Sequence, residues 1–225
     1  MRRILLAVAM VVVSAGPAWA REWELSGGTA VHYLSSPGVD AAATSDSVSF
    51  GDLAASVEVT RDLPFLDLIA AEARWQSGST SASDFGIYDA SLSLDHLEVG
   101  ARAVRDVYPH VRLYAHADVG GVRGAFSVIS PGMRQGGLTD VDWALSAFAG
   151  TGVDLAIYQS AASDPHPDFA LGVRLELGYQ MTGAMAFRAI PPASGAGAPL
   201  DTRSAPLGTL DADGAVFRIG VFGRW

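Results

Sequence analysis

The sequence predicts an all-β protein, an eight-stranded antiparallel up-and-down transmembrane β-barrel. Three observations carry that prediction. From Arg21 to Trp225 apolar and polar residues alternate with a period of two, the mark of strands with two unlike faces. Through the body of seven of these segments the apolar face carries no charge. Arg or Lys facing lipid at the bilayer midplane costs roughly 2–4 kcal/mol, whereas a water-facing surface has no reason to avoid charge. Finally, aromatic side chains sit at segment ends on the apolar face: Trp23, Tyr33, Trp75, Tyr88, Trp143, Tyr179, Phe217 and Trp225. At about 3.3 Å per residue and a tilt of about 40°, Trp23 and Tyr33 lie about 25 Å apart along a membrane normal, the height of a barrel's apolar band.

Composition agrees with this class and excludes others. The 225 residues are 49% hydrophobic and 17% charged, too apolar for a disordered chain, and 25 glycines are too many for a helical bundle. The absence of Cys removes disulfides, thiolate metal sites and cysteine nucleophiles. A net charge of −9 leaves no basic stripe able to displace phosphate counterions, so no nucleic-acid partner is expected.

Arg2 and Arg3 precede the apolar run Ile4–Val13, then Ser14, Gly16, Pro17 and Ala18-Trp19-Ala20. That order predicts a secretory signal peptide over residues 1–20, cleaved between Ala20 and Arg21. The run is about half the roughly 20 apolar residues that a spanning helix needs. Residues 21–225 then form one barrel domain.

The strands follow in order. Trp23, Leu25, Gly27, Thr29, Val31 and Tyr33 oppose Glu24, Ser26, Gly28, Ala30 and His32. Leu53, Ala55, Val57 and Val59 oppose Ser56, Glu58 and Thr60; Ile69, Ala71, Ala73 and Trp75 oppose Glu72, Arg74 and Gln76. The segment from Ile87 to Ala103 is awkward. Tyr88, Ala90, Leu92 and Leu94 share one parity, Leu97, Val99, Ala101 and Ala103 the other, and a bulge near Asp95-His96 would reconcile them. Next, Val111, Leu113, Ala115, Ala117 and Val119 oppose Arg112, Tyr114, His116 and Asp118. The sixth strand sets Val141 to Leu155 against Asp142, Ser146, Gly150, Gly152 and Asp154, and the seventh sets Leu171 to Met181 against Arg174, Glu176, Gly178 and Gln180. The last places Phe217, Ile219, Val221, Gly223 and Trp225 outward, opposite Arg218, Gly220 and Arg224.

Long polar stretches (Ser35–Ser47, Ser77–Gly86, Ser127–Asp140, Thr182–Gly214) alternate with short ones (Arg61–Leu66, Val104–His110, Tyr158–Asp168), which puts the long loops at one end of the sheet. Thr182–Gly214, with Pro191, Pro192, Pro199 and Pro206, reads as a mobile loop.

These features resemble the small outer-membrane β-barrels of Gram-negative bacteria, the eight-stranded OmpA/OmpX-like group. The resemblance covers Arg21–Trp225 and rests on the leader, the amphipathic strands and the run Phe217-Arg218-Ile219-Gly220-Val221-Phe222-Gly223-Arg224-Trp225. That run looks like the group's C-terminal assembly signal, in which Phe217, Ile219, Val221, Gly223 and Trp225 are read by the insertion machinery; the group usually ends on Phe rather than Trp. The resemblance implies partners of two kinds, outer-membrane lipid and that machinery during assembly. A monomer is expected, and an even strand number puts both termini on one side, the periplasmic side that the short links face.

The inward face supplies the candidate chemistry. Glu58, Glu72, Asp118 and Glu176, with Arg74, Arg112, Arg174 and Arg218, predict a network of paired charges filling a lumen with room for side chains and little more. A charge-lined ion path is the alternative. His116 and Asp118 are the beginning of a hydrolase triad, and His32, His96-Leu97-Glu98 and His166 are further histidines, none within a recognisable catalytic motif. Asp211-Ala212-Asp213-Gly214 has no Glu where a calcium loop would place one, so that only occasional divalent cations are expected at Asp201, Asp211 and Asp213. No cofactor, metal or catalytic residue is expected. The leading functional expectation is a non-enzymatic barrel supporting envelope structure or surface contact through long extracellular loops. A narrow passive, porin-like channel is the alternative, and a lipid-modifying outer-membrane enzyme the second.

Overall fold

A computed structural model describes residues 22–34, 47–84, 88–129, 138–160, 169–188 and 206–225. Eight strands close into one antiparallel ring: β1 (Trp23–Leu34), β2 (Ser47–Arg61), β3 (Leu68–Asp84), β4 (Tyr88–Tyr108), β5 (Val111–Ile129), β6 (Leu138–Gln159), β7 (Ala170–Thr182) and β10 (Gly214–Arg224). Each strand pairs with its sequence neighbour, and β10 closes the ring between β7 and β1. A separate two-stranded hairpin, β8 (Met185–Arg188) and β9 (Pro206–Leu210), lies within the stretch expected to be a mobile loop. The leader and His166 lie outside the described residues.

Closure has a plain cause. A sheet whose outward face is apolar has no use for exposed backbone edges, and a closed ring leaves none within the apolar belt. On that belt Leu145 is 81% exposed and Leu177 60% exposed, while Glu24, Glu72, Asp154 and Glu176 are buried inside. Inward charge and outward hydrocarbon are thus the observed arrangement.

The expected bulge at Asp95-His96 is absent. β4 pairs with β3 and β5 through this region without a register shift; the only irregularity in its pairing with β5 is at Asp106/Tyr108. Leu92 and Leu94 therefore point into the barrel, where they are 3% and 0% exposed. What changes at this height is the surroundings. The register row Gln76, His96, Val122 and Ala144 marks the boundary. On one side the outward residues are Trp75, Leu97, Gly121 and Leu145. On the other, β3–β5 turn Ser77, Asp95 and Arg123 outward, with Ser77 Oγ donating to Asp95 at 2.6 Å and Arg123 donating to Asp95 at 3.3 Å.

Past this row β3–β5 invert, polar outside and apolar inside, while β6 keeps Trp143 and Val141 outward. Strand lengths say why. β1, β7 and β10 have 12, 13 and 11 residues, close to the 9–11 that cross a bilayer, whereas β3, β4, β5 and β6 have 17, 21, 19 and 22. The longer strands continue as a collar. Ser77–Asp84, expected as loop, is the end of β3, and only residues 85–87 separate β3 from β4. Tyr88 consequently stands at the tip of β4, beyond the aromatic belt.

The collar encloses a core of Leu34, Val48, Phe50, Leu92, Leu94 and Val122, into which the hairpin inserts Met185, Phe187 and Leu210. A Cβ at Gly124 would collide with Met185 Sδ and the Phe187 ring, so the hairpin sits where that strand has no side chain.

Candidate functional site

The interior below the collar is a stack of ion clusters. At the short-turn end, Glu22 accepts hydrogen bonds from Arg61 at 2.9 Å and Arg112 at 2.5 Å; Arg61 also reaches Glu58, and Arg112 reaches Asp106. Glu58 and Arg112 thus belong to the mouth and not to the clusters deeper in.

The next cluster is a square of two guanidiniums and two carboxylates. Arg102 and Arg174 both bond Glu24 and Asp154. Asp154 and Arg174 are register partners on β6 and β7, which brings the pair together across one strand spacing. Arg174 donates to Asp154 at 2.8 and 2.9 Å and to Ser26 Oγ at 3.0 Å. The Tyr114 ring fills the middle, 4.1 Å from the Arg102 guanidinium and 5.0 Å from that of Arg174.

Above it, Glu176 is a hub. It accepts from Arg74 at 3.0 Å, from Tyr114 Oη at 2.9 Å and from Arg218, its register partner on β10, while His116 Nε2 lies 3.1 Å away. Arg74 also bonds Glu72 at 2.6 Å. His116 Nδ1 lies 2.9 Å from Asp118, so the histidine bridges two carboxylates. Phe148 packs beneath Arg218, 3.9 Å from centroid to guanidinium, in space left by Gly150 and Gly178.

Of the residues singled out from sequence, Glu72, Arg74, Glu176 and Arg218 meet in one cluster. Asp118 joins them through His116 rather than through an arginine, and Arg174 stands in the cluster below. Glu24, Arg102, Asp154 and Tyr114 complete the network. Their parity marks them as inward, but partner choice depends on how eight strands are staggered around the ring. Asp142 is not part of it. At the collar rim it accepts from the Ala186 amide at 2.7 Å.

Two arrangements invite a catalytic or metal reading. Glu72, His116 and Asp118 offer ligand atoms within 4.8 Å of one another. Glu72 already accepts from Arg74, and one Asp118 oxygen faces His116 Nδ1, so these groups serve one another as ion pairs. His96 Nδ1 lies 3.4 Å from Ser146 Oγ, but Ser146 donates to Glu98, and all three are buried with Gln180 above them. A hydroxyl nucleophile there has no path for a substrate.

Buried charged side chains occupy the interior between the mouth and the collar. Among the described residues the cavity beside Glu24 and Arg102 measures about 10 Å³, about the space of one water molecule. A larger hollow of about 300 Å³ opens at the short-turn mouth.

No protein-family model matches the sequence, and no curated protein matches it. Several solved structures resemble the fold. Ail, the attachment invasion locus protein of Yersinia pestis, superposes with a TM-score of 0.49 at 15% identity, over 91% of this chain and 98% of its own. Its complex with the heparin analogue sucrose octasulfate gives 0.48 at 14%, with the same coverage. Neisserial surface protein A gives 0.46 at 11%, over 90% of this chain and 94% of its own. These likenesses are remote; the eight-stranded ring is established by the chain's own strand pairing.

Proposed function

We propose that this chain is a non-enzymatic outer-membrane barrel, a sealed monomer that supports envelope structure or surface contact through the segments between its strands. The observation that carries the reading is a lumen filled from the short-turn end to the collar by paired charges and then by apolar side chains. Such a barrel has neither a conduit nor an accessible nucleophile. The uncharged outward belt supports lipid as its surroundings. Residues 35–46, 130–137 and 189–205 all join strands at the collar end, and connections on a rigid scaffold are where recognition concentrates. Residues 1–20 act in this reading as the export leader.

The test is reconstitution of the refolded protein in planar bilayers, paired with cells carrying variants shortened in residues 36–45 and 190–204. Silent bilayers, with folded variants that lose surface attachment or envelope resistance to detergent, are the expected result. Steady unitary conductance from the wild type would overturn the sealed-barrel reading.

A further inference from the structure

Arg224 differs from the other buried arginines. Arg74, Arg102, Arg174 and Arg218 each donate a hydrogen bond to a carboxylate. Arg224 is only 6% exposed, its Nη1 is buried without a hydrogen-bond partner among the described residues, and its guanidinium lies 5.8 Å from the Phe222 ring. Its one ionic contact is Glu22, 3.6 Å from Nε, and Glu22 is already held more closely by Arg61 and Arg112. One carboxylate thus serves three guanidiniums, and the most buried of the three is the one left underpaired. A guanidinium carries five N–H donors in a rigid fork, and burying it without acceptors is expensive.

Arg224 also lines the hollow of about 300 Å³ at the short-turn mouth, with Asp106, Val107, Tyr108, Pro109, Arg112 and Gln159. The Asp106 carboxylate is engaged by Arg112 Nε at 2.6 Å, which leaves Arg224 with the longer Glu22 contact alone among the described carboxylates. Tyr108 is 70% exposed and Val107 45% exposed, so the rim of the hollow is open and apolar on the side where the outward belt ends.

We infer that this hollow binds a phosphate group, held by the Arg224 fork with Arg112 and Gln159 beside it. Guanidiniums match phosphate oxygens with paired, charge-assisted hydrogen bonds. The ligand is either the headgroup phosphate of an inner-leaflet phospholipid, its acyl chains lying along Val107 and Tyr108, or a free phosphate ion. Only the compartment that the hollow faces rests on the membrane reading. Failure of the barrel to insert into bilayers would refute that reading and leave the binding measurement intact.

The test follows the Arg224 side-chain N–H resonances of the full chain, refolded in a neutral detergent. Inorganic phosphate is titrated in one arm and a short-chain phosphatidylglycerol in the other, each at constant ionic strength set with chloride. A saturable shift of Arg224 that Arg224→Gln abolishes and Arg224→Lys weakens at least tenfold is expected. Saturation by both probes assigns a free-phosphate site, and saturation by phosphatidylglycerol alone assigns the lipid headgroup. No saturable shift with either probe overturns the inference. So does an unchanged response elsewhere in the hollow, at the Gln159 amide, in a folded Arg224→Gln protein. Should Arg224→Gln not fold, the wild-type titration alone decides, with chloride at matched concentration as the competitor that must fail to reproduce the shift.

Discussion

Replacing Arg174 by Ala is the sharpest test of the charge network. In the intact square, Glu24 and Asp154 are balanced by Arg102 and Arg174, with all four groups buried. Without Arg174, two carboxylates share one guanidinium, Ser26 loses its donor, and the Tyr114 ring loses one of its two cations. Removing one partner of a buried ion pair costs about 3–5 kcal/mol, because an uncompensated charge remains. At about 1.4 kcal/mol per tenfold, that is a loss of two to nearly four decades in the folding equilibrium. Urea unfolding in lipid vesicles, followed by tryptophan fluorescence, measures it. The double variant Arg174→Met/Asp154→Asn restores balance, with Glu24 facing Arg102, and keeps most of the volume. It is expected to recover more than half of the loss. A double variant as unstable as the sum of the two singles, or an Arg174→Ala protein within about 0.5 kcal/mol of the wild type, refutes the square as a coupled unit.

Three further outcomes are expected. Gly124→Val puts methyl groups where Met185 and Phe187 sit, so the Ala186 and Arg188 amides, now bonded to Asp142 and Asp140, lose at least tenfold of their hydrogen-exchange protection while urea unfolding of the ring changes by under about 1 kcal/mol. Deleting Trp225 lowers the amount of heat-modifiable folded protein in envelopes far more than the unfolding midpoint of the purified refolded barrel; wild-type envelope levels would remove its proposed role in assembly. N-terminal sequencing of envelope protein reads Arg-Glu-Trp, and a chain retaining Met1 contradicts cleavage after Ala20.

Most of the ring was legible because parity in a strand is a local property. Which face Glu24, Glu72 or Arg218 occupies follows from its distance along the chain from Trp23, Trp75 or Phe217, without knowledge of any other strand. Partners were less legible. Asp154 meets Arg174, and Glu176 meets Arg218, through register, and register is set by the closure of the whole ring. Glu22 escaped notice because it lies at the first residue before β1, where alternation has barely begun, although it holds together the mouth.

The misplaced bulge is the most instructive difference. A reading of β4 that assigns one environment per face must explain Leu92 and Leu94 by a shift of backbone register. The strand instead runs straight from one solvent into another. Lipid favours apolar residues outward and water favours them inward, so a straight strand that leaves the membrane shows a phase flip in hydrophobicity with no flip in geometry. The two causes are distinguishable in sequence after all. A bulge changes parity in one strand, whereas a boundary changes it at one height in neighbouring strands. Here Ser77, Asp95 and Arg123 turn polar on the outward face in one register row, while Phe50, Leu94 and the small Gly124 face the core just beyond it. Residues that agree across β3, β4 and β5 point to a surface through which all of them pass.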